Sequence, residues 1–204
     1  PQWWSKDGWE WKSREGVMAP VYWHKDAEAG WTIRKFDQHG PIEMNLPVIH
    51  VNWYEANAYC KWAERRLPSE AEWEVAASGG LNGDQKLRFP WGDTTPTFSH
   101  ANLDARNGGV ISVDALPDGD SPFGCRQMLG NVWEWTSDAF TPYPEFAPDP
   151  YKEYSQPWFH THKVLKGGAW TTRSRLIRNT WRNFYLPERR DVLNGFRSCA
   201  LHTP

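Results

Sequence analysis

Residues 178–191, RNTWRNFYLPERRD, gather four arginines with a tryptophan, a phenylalanine and a tyrosine. Guanidinium groups offer forked donors to a carboxylate, and aromatic faces attract a quaternary ammonium. A cleft wall for a ligand carrying both groups needs this composition. The plainer alternative is that Arg178, Arg182 and Arg190 form ion pairs with neighbouring acids, as structural networks commonly do. Other chemistry-bearing types are sparse. His160 and His162 share one side of an HTH stretch with no third ligand nearby, which suits surface or hydrogen-bonded histidines, and His50 reads as structural. Cys60, Cys125 and Cys199 match no C-x-x-C or zinc spacing; an odd, scattered set points to a reducing cytoplasm.

The elements that must carry the ribbon are short. Aromatic runs in residues 1–46, including WWSKDGWEW and WTIRKF, suggest short strands joined by turns. In PVIHVNWYEANAYCKWAERRLP the spacing of Tyr54, Ala58, Trp62 and Arg65 predicts a helix capped by Asn52 and ended by Pro68. Ser69 followed by Glu72 is a capping box opening a second helix over about 69–78, stopped by Gly79-Gly80. Glu70, Glu72 and Glu74 then read as cap and solvated helix face. LNGDQKLRFPWGDTTPTFSHANLDARNGG follows as a long ordered loop. Trp133 and Trp135 of GNVWEW belong to the core, VLKGGAW is a strand broken at its glycine pair, and GFRSCAL is a closing strand.

The 204 residues form one loop-rich α+β domain cemented by fifteen tryptophans, with 39% apolar content and a formal charge of -2. That charge argues against a nucleic-acid partner, and no apolar run is long enough for a membrane span. The chain starts PQWWSKDGW without a methionine and shows no signal peptide, and it is read as a fragment.

Taken together, RLPSEAEWEVAA, RFPWGD, ANLD, FGCRQMLGNVWEW, VLKGGAW and GFRSCAL resemble, in order and spacing, the formylglycine-generating-enzyme-like (sulfatase-modifying-factor) fold, a variant of the C-type lectin fold. The resemblance covers nearly the whole of residues 1–204 and implies that the first strand and helix of the domain precede them. Enzymes of the founding branch bind copper through two cysteines in the region matching RSRLIRNTWR, which has none here. The segments WWSKDGWEW, PVYWHKD, HVNWYEANAYCKWA, PYPEF and RNTWRNFYLPERRDVLNGFRSCAL are more similar to the C-terminal domain of the nonheme-iron sulfoxide synthases of ergothioneine biosynthesis and their selenoneine-forming relatives.

That resemblance implies Fe(II)- and O2-dependent formation of a C–S or C–Se bond on the imidazole of N-alpha-trimethylhistidine (hercynine). The iron-binding histidines would lie on an upstream helical domain of the same protein. Where the synthases carry N-W-D-Y-P-x-R-R, the matching Asn183 and Phe184 would shape the betaine pocket and Arg189 would pair with a carboxylate of the second substrate. Arg182 and Arg190 extend that wall. Tyr185 replaces the aspartate that grips the amino group of gamma-glutamylcysteine, and a phenol carries no negative charge at neutral pH. Free cysteine or a selenium-bearing sugar then becomes the more plausible thiol or selenium donor. Tyr143 is the candidate proton donor from the loop after GNVWEW. By the same resemblance Gln127, Gly130, Val132 and Glu134 match a calcium site of the fold, and Asn102 and Leu103 part of another. Two other functions stay open: a lectin-like binding module without chemistry, and a formylglycine-generating-type oxidase.

Overall fold

A computed structural model describes residues 1–80 and 85–201. The chain opens on a helix, α1 (Lys6–Glu15), where short strands were expected. The Ser5 hydroxyl caps it by accepting from the Gly8 N–H, and Gly16 ends it at φ 61°. Gly8 is small for a reason of packing. A Cβ there would lie 3.0 Å from the Tyr54 side chain. Beyond it, β1 (Trp23–Asp26), β2 (Gly30–Lys35) and β3 (Gln38–Pro41) form an antiparallel sheet in that order, which places WTIRKF in a strand as expected.

α2 (Trp53–Trp62) starts where its cap predicts: the Asn52 side chain accepts from Glu55 N, and Glu55 reaches back to Asn52 N. It stops six residues before Pro68. Glu64 takes φ 54°, a left-handed conformation that turns the chain into β4 (Arg65–Arg66). Arg65, expected on the helical stripe, instead donates to Ser198 Oγ at 2.7 Å. α3 (Glu70–Ser78) carries the predicted capping box of Ser69 and Glu72.

Arg66 donates to both Glu72 oxygens at 2.6 Å. This pairing, with the Ser69 N–H, pushes the Glu72 carboxyl down to about 2. A carboxyl whose pKa falls on folding stabilises the fold above its unfolded value, and that contribution disappears as pH drops through the folded value. Glu72 therefore makes stability decline between pH 4.5 and about 2. Urea midpoints measured across that range should show a flatter profile in Glu72→Gln.

The second sheet is the frame of the molecule. β5 (Trp133–Ala139) pairs antiparallel with β6 (Lys163–Lys166) and parallel with β8 (Asn194–Gly195), and β7 (Arg182–Tyr185) adds antiparallel to β6 as an edge strand. The aromatic-basic ribbon is thus partly a strand. GFRSCAL is not one continuous strand: Gly195 pairs in β8, whereas β9 (Cys199–Ala200) pairs with β4. VLKGG breaks as expected, with Gly167 at φ 98° and Gly168 at φ 85°.

Indoles fill the core and satisfy their N–H groups. Trp135, fully buried, donates to Val51 O at 3.0 Å; Trp73 donates to Glu134 at 2.7 Å; Trp53 donates to Thr136 O at 2.8 Å. One cluster joins Trp73, Met128, Leu129 and Ile177, and a second joins Trp133, Trp135, Leu165 and Ala56. The stretch from 85 to 109 is loop with one isolated bridge, Phe89 to Gly92; residues 81–84 of the expected long loop lie outside the described residues. The architecture is α+β, with short helices, curled sheets and much irregular chain.

Candidate functional site

Side chains alternate across a strand, so β7 divides the ribbon between its two faces. On one face Arg182 and Phe184 stand beside Lys166 and Val164, their partners on β6. Phe184 stacks on Phe140 at 4.0 Å, with His162 edge-on at 5.7 Å. Arg182 donates to Glu70 Oε2 at 2.7 Å and to Thr141 O at 3.0 Å. Its guanidinium lies 4.8 Å from the Phe140 ring and 4.5 Å from the Tyr143 ring. The Tyr143 hydroxyl donates to Glu70 Oε1 at 3.2 Å. Burial first, and then the Glu70 charge, push the Tyr143 phenol up to about 12.

On the other face Asn183 donates from its amide to the Tyr185 hydroxyl at 3.3 Å, and its amide oxygen accepts from Phe184 N at 2.8 Å. Arg189 lies over the Tyr185 ring at 5.3 Å. It pairs with Asp191 at 2.6 and 2.7 Å, an exposed link that any solvent-borne carboxylate can compete for. That pairing holds the Asp191 carboxyl below the usual range. Nearby, Lys163 sits 4.0 Å over Trp53. β7 is an edge strand of this sheet, so its two faces adjoin along one unpaired edge.

Arg190 belongs elsewhere. It donates to Glu55 at 3.0 Å and to Ala19 O at 2.5 Å, and covers Trp11 at 5.5 Å. These bonds tie the ribbon to the α2 cap and to the chain leaving α1. A cavity of about 1230 Å³ lies on that side, lined by Trp4, Tyr22, His50, Tyr59, Trp62 and Phe196 among others. Of the ribbon and loop candidates, Asn183, Phe184, Tyr185, Arg189, Arg182 and Tyr143 do not line it; Arg190 borders a smaller hollow of about 510 Å³. The β7 residues are all half-buried, with Tyr185 packed against the Trp133–Trp135 cluster.

Two residues that sequence reasoning passed over are central to the Tyr143 side. Glu70 and Glu74, read as solvated, are largely buried, and both face the fully buried Lys166, at 3.8 and 3.2 Å. The lysine inside the otherwise apolar strand VLK was the available signal.

Gln127, Gly130, Val132 and Glu134 do meet in one turn, with Gly130 at φ 81° and no room for a Cβ against Asn102 O, 2.5 Å away. Their oxygens do not form a cation cage. Arg197 donates to both Glu134 oxygens, at 2.5 and 2.8 Å, and Trp73 to one of them. Gln127 turns its amide nitrogen to Ser112 O and Ala115 O while its oxygen accepts from Asn131. Asn102 is likewise committed, bonding Gly109 O, Asn131 and Asn107, and Leu103 is core. The turn does not fit a resident calcium in this geometry: a guanidinium fills the cationic role. Among the described residues no three His, Cys, Asp or Glu side chains converge to hold a metal. The three cysteines are free, and burial raises the Cys60 thiol to about 11. Among the described residues no helix is long and apolar enough to cross a membrane.

Residues 2–201 match the sulfatase-modifying factor enzyme 1-like domain. The chain is 40% identical over 197 residues to hercynine oxygenase of Mycobacterium tuberculosis, covering 96% of this chain and 46% of that protein. It is 36% identical over 207 residues to the formylglycine-generating enzyme of Mus musculus, covering 93% and 54%. The chain thus spans about half the length of these curated relatives. Among solved structures, PvdO from Pseudomonas aeruginosa shares the fold with a TM-score of 0.61 at 23% identity, over 93% of this chain and 74% of that one. The chain belongs to the sulfatase-modifying factor enzyme 1-like family.

Proposed function

We propose that this chain forms the substrate-binding wall of an oxygen-dependent oxidoreductase that joins sulfur or selenium to the imidazole of hercynine. The observation that carries this reading is the 40% identity to a hercynine oxygenase across nearly the whole chain. Within it, Asn183, Tyr185 and Arg189 adjoin on one half-buried face. Arg189 takes a substrate carboxylate in place of Asp191, since a guanidinium fork matches either. Aromatic faces of Tyr185 and Trp53 suit a trimethylammonium group; Trp53 already carries the Lys163 ammonium on its ring.

Tyr143 and Phe184 hold the opposite side of the edge strand, where the phenol serves as proton donor. Tyr185 stands where the resembling synthases carry the acid that holds a substrate amine, so the second substrate is a thiol or selenium donor without a glutamyl ammonium, such as free cysteine or a selenium-bearing sugar. The iron that such chemistry uses would be held by a separate part of the protein, where it would activate O2. The residues of this chain bind the substrates, orient them and donate a proton.

The test is direct. Full-length protein is incubated with hercynine, ferrous iron, O2 and either cysteine or a selenosugar, and the products are read by mass spectrometry. A mass gain on the imidazole ring from sulfur or selenium supports the proposal. A protein that binds neither substrate, and instead captures glycans, is a lectin-like module.

A further inference from the structure

We infer that Glu70 is the positioning residue for Tyr143, fixing the phenol hydroxyl beside Arg182 of β7. This rests on the proposal that Tyr143 donates a proton in turnover. The geometry is that of one carboxylate fixed from three sides. Arg182 Nη2 lies 2.7 Å from Oε2, the Tyr143 hydroxyl 3.2 Å from Oε1, and Lys166 Nζ 3.8 Å from Oε1. Glu70 itself sits in the first turn of α3, its backbone N–H donating to Asp138 Oδ2 at 2.7 Å.

Every charged group facing this carboxylate comes from a different element. Arg182 is on β7, Lys166 on β6, Asp138 on β5, and Glu74, which bonds Lys166 at 3.2 Å and pairs with Lys86, is one turn on in α3. The two cations beside Glu70 balance its charge and fix the orientation of its oxygens. Solvated helix-face acids have no such partners. Lys166 in particular is fully buried, and a lysine is removed from water only when paired.

For Tyr143 the consequence is twofold. A carboxylate at hydrogen-bond distance sets the direction of the Tyr143 O–H and disfavours the phenolate. Arg182, bridging Glu70 to the Tyr143 ring, stops the ring from swinging away. The Tyr143 O–H turns from Glu70 to a substrate acceptor by rotation about one C–O bond, and the phenolate left after proton transfer is reprotonated from solvent, to which Tyr143 is exposed. Tyr143 is the catalytic group; Glu70 acts through it.

The experiment compares native full-length protein with Glu70→Gln, Tyr143→Phe and the double variant. Tyr143 ionisation is followed by the 13C resonance of ζ-labelled tyrosine, assigned by its loss in Tyr143→Phe, while kcat and KM for hercynine are measured in parallel. Expected is a Tyr143 titration that moves down toward the ordinary tyrosine value of about 10 in Glu70→Gln. A kcat loss of about tenfold should accompany it, with little change in KM, and the double variant should lose no more than Tyr143→Phe alone. Glu70 is overturned as a positioning residue if the Tyr143 titration does not move, or if the two substitutions multiply. If Tyr143→Phe alone leaves kcat unchanged, the proposed role of Tyr143 fails, and the resonance still decides whether Glu70 holds the phenol.

Discussion

Tyr143→Phe is expected to lower turnover of hercynine by about 10²- to 10⁴-fold, the range a positioned general acid contributes. The substitution removes one oxygen and keeps the ring that Arg182 packs against at 4.5 Å. Its hydroxyl has a single bond within the protein, to Glu70, and Glu70 retains Arg182 and Lys166. Stability should therefore change little. Hercynine binding should also persist, because Asn183, Tyr185 and Arg189 lie on the opposite face of β7. The informative result is a kcat that collapses while the dissociation constant and the urea midpoint hold. Equal losses in all three would make Tyr143 a packing residue.

Glu134→Ala should be the most destabilising of the charge removals, costing about 3–5 kcal/mol. Its carboxylate is buried and accepts from Arg197 and from the Trp73 indole, so its loss leaves a partly buried guanidinium and a core N–H without an acceptor. Glu134→Gln keeps an oxygen for Trp73 and should cost less. Urea midpoints measure both. The same titration tests the turn as a metal-independent structure: adding calcium or a chelator should leave the native midpoint where it is. A midpoint that rises with calcium would mean that Glu134 exchanges Arg197 for the ion.

What the sequence disclosed was set by how local its causes are. The Ser69–Glu72 capping box and the Asn52 cap could be read outright, since each acts within one turn; the reciprocal bond from Glu55 to Asn52 was supplied by the structure. α1 was hidden. Trp9 and Trp11 recur at strand spacing, and Gly8 is a poor helix interior residue; what decides the matter is Gly8 packing against Tyr54, 46 positions away. The early end of α2 was hidden likewise, because Glu64, unlike a glycine, gives no warning of positive φ.

The ribbon shows the same division at the site. Its composition revealed guanidiniums and aromatic rings, but strand pairing with β6 sorts them onto two faces, and only topology supplies that. Arg190 left the set because Glu55 and Ala19 reach it from far upstream. Glu70 and Lys166 entered it because Arg182 is brought to Glu70 across 112 positions. Glu70 and Glu74 are one helical turn apart, a spacing that also describes a solvated stripe, so the carboxylates alone did not reveal their burial.

The central claim is that the Asn183–Tyr185–Arg189 face binds a betaine. Calorimetric titration of hercynine into full-length protein, native against Asn183→Ala and Arg175→Ala, tests it without any turnover. Arg175 is exposed in the loop before β7 and makes a control for general loss of charge. Affinity should drop about tenfold in Asn183→Ala, in line with one lost hydrogen bond to a charged ligand, and stay at the native value in Arg175→Ala. Native affinity in Asn183→Ala would contradict the account and move the search to the aromatic cavity beside α1.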